Sequence, residues 1–108
     1  MDTVDLVVNF GDEGELIEAA IPCSVGSTVF TTLKQAEQDR VLQLDASGSG
    51  ETAFVKSING LAGDAKTGRY WFLYVDDQLA KQGCGVVEVD PGRKIEWRYQ
   101  EQPADFGQ

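Results

Sequence analysis

Phe54-Val55-Lys56-Ser57-Ile58-Asn59-Gly60-Leu61-Ala62, followed a few residues later by Tyr70-Trp71-Phe72-Leu73-Tyr74-Val75-Asp76-Asp77, is the part of this chain that decides its fold. The first run is a strand entering an Asn-Gly turn, a strong hairpin signal because both central residues must take positive φ, which Asn and Gly tolerate. The second is a strand dense in aromatics that enters another tight turn at Asp76-Asp77. Successive strand side chains point to opposite faces, so Tyr70, Phe72 and Tyr74 share one parity and Trp71 and Leu73 the other. At most one of these sets is expected to face an external ligand.

Upstream, Val4, Leu6, Val8 and Phe10 alternate with Asp5, Val7 and Asn9, the period of a strand with one buried face. Gly11-Asp12-Glu13-Gly14 reads as a turn, and Ile17, Ala19 and Ile21 place a returning strand between Glu15 and Ile21. Ser27 is placed to cap a helix, because Val29, Phe30, Leu33 and Ala36 then recur at three- and four-residue intervals as far as about Arg40. Val41 to Ala46 suits a short extended piece, and Ser47 to Thr52 a surface loop. Beyond the aromatic strand, Gln78-Leu79-Ala80 returns, Val86, Val87 and Val89 form a short strand, and Asp90-Pro91-Gly92 is a turn. In the last strand, Lys94 to Tyr99, Ile95, Trp97 and Tyr99 point one way. Two strands, one helix and then three or more strands make an α+β, β-grasp-like mixed sheet with the helix packed on one face. Trp71 and Trp97 are expected to anchor the core.

The 108 residues and 42% hydrophobic content suit one packed core, so residues 1–100 read as a single domain and 101–108, with Pro103, as a flexible tail. Nine basic against eighteen acidic side chains give a net charge of −9, which repels phosphate backbones and anionic lipid heads and argues against nucleic acid or membrane partners. Because the acids are spread along the chain, the plain reading of the charge is solubility rather than an acidic docking surface. Met1-Asp2-Thr3-Val4-Asp5 offers neither a basic start nor an apolar run, so the sequence as given reads as a cytoplasmic protein without a signal peptide. A secreted protein trimmed of its leader would read the same way.

Catalytic and metal chemistry find little support. There is no histidine. Cys23 and Cys84 lack the spacing of a structural zinc site, and two thiols read more simply as partly buried side chains than as a disulfide. Cys23 has no histidine to form a thiolate, Asp12, Glu13 and Glu15 lack calcium-loop spacing, and no glycine run is set as a phosphate loop. Asp76-Asp77 is by default a turn with two solvated acids. The chain is expected not to be an enzyme and to hold no metal.

Asn9-Phe10-Gly11-Asp12, Ile21-Pro22-Cys23-Ser24-Val25-Gly26-Ser27-Thr28-Val29, Ser57-Ile58-Asn59-Gly60, Tyr70 to Val75, and Ile95-Glu96-Trp97-Arg98-Tyr99 occur in an order that resembles the DUF4430 family. That family is similar to the β-grasp-like C-terminal domain of transcobalamin and intrinsic factor. The resemblance covers about residues 4 to 99. In those vitamin carriers the domain caps cobalamin, which by resemblance makes Ser57, Asn59, Tyr70 and Trp71 the candidate ligand contacts and cobalamin or a related corrinoid the candidate cofactor. A flat conjugated ring offers its face to aromatics, while its amide fringe pairs with groups such as Asn and Ser. The carriers add a large helical domain that 108 residues cannot include, and no histidine is present to coordinate cobalt. The plainer reading of Asn59-Gly60 is a hairpin turn, and of Trp71 a core residue.

The expected function is therefore non-catalytic binding of a small planar ligand along an aromatic edge. The alternative is a protein–protein interaction module that works by strand addition or partner docking. A ubiquitin-like carrier, suggested by Tyr74 to Leu79 and Val89 to Glu96, ranks behind both, because its chemistry needs a C-terminal Gly-Gly and the sequence ends Ala104-Asp105-Phe106-Gly107-Gln108.

Overall fold

A computed structural model of the chain describes residues 3–24, 26–48, 53–80 and 83–101. In chain order the strands are β1 (Thr3–Asn9), β2 (Ile17–Pro22), β3 (Ser27–Thr28), β4 (Leu44–Ser47), β5 (Phe54–Ile58), β6 (Leu61–Ala62), β7 (Arg69–Val75), β8 (Gln78–Leu79), β9 (Glu88–Val89) and β10 (Lys94–Glu101). One helix, α1 (Val29–Gln38), lies between β3 and β4, and Gly11–Glu13 is a 3-10 turn.

The main sheet has the order β2-β1-β10-β7-β8. β1 runs parallel to β10, with Leu6 opposite Ile95 and Val8 opposite Trp97, and every other ladder in this sheet is antiparallel. This register brings the apolar parity of each strand onto one face: Ile21 with Val4, Leu6 with Ile95, and Trp97 with Leu73. The helix buries Val29, Thr32, Leu33 and Ala36, and its apolar members join those strand residues in one core. The α+β arrangement of one helix on a mixed sheet is present. Ile95, Trp97 and Tyr99 share a buried side as their alternation requires.

Local details differ from the sequence reading. Thr28 caps the helix rather than Ser27: its Oγ1 accepts from the Thr31 N–H at 3.2 Å, while the Ser27 Oγ accepts from the Ser24 N–H. Ser27 and Thr28 also pair with β9, and the first helical N–H groups of Val29 and Phe30 donate to the carbonyls of Val87 and Cys84. The helix ends at Gln38, because Arg40 sits at φ +62 in the left-handed region that terminates helices. The strand expected at Val86–Val89 is only Glu88–Val89.

The larger difference lies between helix and aromatic strand. β4, β5 and β6 form their own three-stranded sheet, irregular at Asp45/Ala46, instead of extending the main one. The Asn59-Gly60 turn therefore joins β5 to the two-residue β6, and β7 returns to the main sheet. β10 reaches Glu101, which pairs with Arg69, one residue into the expected tail. Residues 102–108 and the 49–52 part of the expected surface loop lie outside the described residues.

Candidate functional site

Two incompletely paired strand edges meet in this fold. β8 pairs only with Tyr74 and Val75, Ala80 donates to the Leu73 carbonyl, and Asp64 bridges Arg69. Among the described residues, β7 has no strand paired to it at Tyr70 and Trp71 on the β8 side. On the side away from β4, β5 is paired among the described residues only at Ser57 and Ile58, by the short β6, and not at Phe54 to Lys56. Between these edges lies a groove of about 480 Å³, a size that suits a small organic ligand.

Its lining follows from the strands. Phe54 and Tyr70, 63% and 44% exposed, make an aromatic rim beside the exposed Lys56. Ala53, Val55, Phe72, Leu73, Cys84 and Trp97 are the buried side chains among the described lining residues. Gly63 lies under Tyr70: a Cβ there would come within 2.6 Å of the ring Cδ1, so only glycine lets the ring lie in this position. Lys56 is the one charged side chain among the described lining residues. Burial pushes the Cys84 thiol above its ordinary pKa, and its Sγ donates to the Ala53 carbonyl at 3.8 Å.

The four residues singled out from the sequence do not converge. Tyr70 and Trp71 both line the groove despite opposite parity, because the groove runs along the edge of β7 rather than over one face. Trp71 is half-buried and braced: Nε1 donates to the Leu61 carbonyl at 2.7 Å, and its ring meets Phe10 at 5.5 Å and Tyr99 at 5.2 Å. Asn59 faces elsewhere. At φ +53, with Gly60 at φ +83, it forms the turn, its N–H donates to the Gln43 carbonyl at 2.8 Å, and its Oδ1 accepts from the Gln43 N–H at 2.6 Å. It borders a separate shallow depression with Phe10, Glu13 and Leu61. Ser57 is half-buried in β5 between Asp45 and Ala62, outside the lining of either depression.

Phe54, Gly63, Cys84 and Trp97 went unmarked in the sequence as site residues. Phe54 carried a readable signal: it shares the parity of Lys56 while Val55 alternates with both, which puts an aromatic on a solvent-facing row. Nothing local in the sequence brings Cys84 or Trp97 to β5.

Polar chemistry elsewhere is structural. On the opposite face of the main sheet the carboxylate of the buried Glu96 accepts from Arg98 at 3.0 Å, and Arg98 stacks over the Tyr74 ring at 3.9 Å. Among the described residues, no group of three or more His, Cys, Asp or Glu side chains gathers as a metal site would require, and no helix is long and apolar enough to cross a membrane.

Comparison with known proteins follows the same lines. The fold is similar to a crystal structure of a candidate metal-binding protein from Ruminococcus gnavus, with a TM-score of 0.73 at 12% identity, covering 95% of this chain and 100% of that one. It is also similar to haptocorrin solved in complex with cobinamide, with a TM-score of 0.72 at 16% identity, covering 92% of this chain but 25% of haptocorrin. No curated protein sequence matches this one. The model of the family described as Domain of unknown function (DUF4430) matches residues 26–101, from the approach to the helix through the last residue of β10. The chain belongs to the DUF4430 family.

Proposed function

We propose that this protein is a non-catalytic binding domain that takes a small, flat, largely apolar molecule in the groove between β5 and β7. The observation that carries this reading is the pair of exposed aromatics, Phe54 and Tyr70, at the rim of a cavity whose buried lining is almost wholly apolar. Aromatic faces left in water at a concave site gain most when a planar ligand covers them. A corrinoid is the first class to try, because a domain of similar fold occurs in haptocorrin, which was solved with cobinamide. Here the contacts are Tyr70, Trp71 and Phe54, while Asn59 and Ser57 serve the turn and the second sheet.

The test is a titration with cobinamide that follows tryptophan emission, corrected for ligand absorbance, repeated with Tyr70→Ala and Gly63→Ala. Binding weakened in both variants supports the groove, since the alanine Cβ at Gly63 displaces the Tyr70 ring. An emission unchanged up to high micromolar ligand rules out the corrinoid.

A second reading rests on a different observation, the backbone of β7 at Trp71, which among the described residues has no strand paired to it on the β8 side and is suited to strand addition by another protein. It expects self-association or peptide binding that protects the Trp71 amide from hydrogen exchange. A monomer at all concentrations, with that amide exchanging at the same rate throughout, counts against it.

A further inference from the structure

Two tryptophans line the groove, and their indole N–H groups fare differently. That of Trp71 is spent on the Leu61 carbonyl. Trp97 is 5% exposed, and its Nε1 is shielded from solvent with no hydrogen-bond partner among the described residues. A buried donor without an acceptor forfeits the hydrogen bond it made to water in the unfolded chain, so such a group in a folded protein calls for a partner. An indole N–H donates and cannot accept, which fixes the partner as an acceptor.

We propose that Trp97 Nε1 is the specificity-determining donor of the groove, and that the ligand is a flat, uncharged molecule whose amide- or ketone-type carbonyl oxygen seats against it. The proposal rests on the small-ligand reading above and names the chemistry that such a ligand carries. Charge argues for a neutral acceptor over a carboxylate. Among the described lining residues the one cation is Lys56, which stands exposed at the rim, and the protein as a whole carries −9. A carboxylate buried there would lose its hydration without a counter-charge. The Cys84 thiol already donates to the Ala53 carbonyl, which among the described residues leaves the Trp97 indole as the unpaired buried side-chain donor in the lining. Because Nε1 is sealed from water, the bond forms as the lining side chains part around the entering oxygen.

The test uses the intact chain and a matched pair of probes, 2-acetylnaphthalene and 2-isopropylnaphthalene, which share a shape but differ in the carbonyl. In the wild type, labelled with ¹⁵N-tryptophan, the ketone moves the Trp97 indole N–H resonance downfield and slows its exchange, and the hydrocarbon does neither. Trp97→Phe lowers the ratio of ketone to hydrocarbon affinity about tenfold, the worth of one buried hydrogen bond. If both probes bind but Trp97→Phe leaves that ratio unchanged and the indole signal responds alike to each, the acceptor proposal falls and the small-ligand reading stands. If neither probe perturbs the resonances of Phe54 and Tyr70 at saturation, both fall. Should Trp97→Phe fail to fold, the wild-type indole signal decides alone.

Discussion

Asn59 illustrates how one side chain serves geometry first. It holds φ +53 and bonds Gln43 through both its N–H and its Oδ1, so it fixes the turn and ties β5 to the chain entering β4. Asn59→Gly keeps the backbone freedom and loses the side-chain bond, which should cost about 1 kcal/mol. Asn59→Ala adds left-handed strain and should cost about 2 kcal/mol or more. Urea midpoints at unchanged slope measure both. Asp76 makes a second residue-level case. It accepts from Arg93 at 2.6 Å and from the Lys94 N–H at 3.0 Å, and these bonds, with Arg93 first, hold its carboxyl below the ordinary value of 3.8. A depressed folded pKa stabilises above the unfolded value and is lost as pH falls through the folded one. The stability gap between wild type and Asp76→Asn should therefore be constant near neutrality and shrink below about pH 3.8, as acid unfolding curves of the two proteins would record. Both turns were legible in the sequence, because Asn-Gly and Asp-Asp announce positive φ. Tyr70 and Trp71 were legible as aromatics. That they share a groove was not, since alternation describes the faces of a strand and not its edges.

At the scale of elements, the helix start turns on a contest between adjacent hydroxyls. Thr28 wins because Ser27 is drawn back to the Ser24 N–H and both residues are held in the ribbon with β9. Thr28→Ala should cost about 1 kcal/mol and Ser27→Ala distinctly less, measurable as a difference in thermal midpoint. Periodicity located the helix and most strands, since alternation at Val4–Phe10, at Ile17–Ile21 and at Ile95–Tyr99 is local information. It could not tell which sheet a strand would join. Val41–Ala46 and Ala53–Ile58 read as extended, yet their separate sheet depends on pairing with each other across a loop, and the two-residue β6 is too short for any period to register, while β8 and β9 show in the sequence only as a return at Gln78–Ala80 and a short strand over Val86–Val89. The groove exists only because β6 and β8 stop early. The site was thus the least legible part of the molecule.

For the whole molecule, the net charge of −9 on 108 residues sets a repulsion that the few ion pairs, mostly at the surface, do not offset. Raising sodium chloride from about 10 to 150 mM shortens the screening length severalfold, so the thermal midpoint should rise, by a few degrees at most. A flat or falling midpoint would mean that the Glu96–Arg98 and Asp76–Arg93 pairs outweigh the general repulsion.

The parallel pairing of β1 with β10 has a kinetic meaning. The first and last of the described strands are neighbours in the sheet, and the Leu6–Ile95 and Val8–Trp97 contacts close a loop that takes in every strand between them. During synthesis β1 and β2 must wait as an exposed hairpin until residues 94–101 leave the ribosome, so the core assembles after translation of β10 and not progressively with it. Folding dominated by so long a closure belongs on the millisecond-to-second scale, and until it completes, the apolar row of Val4, Leu6 and Val8 stands open to wrong partners.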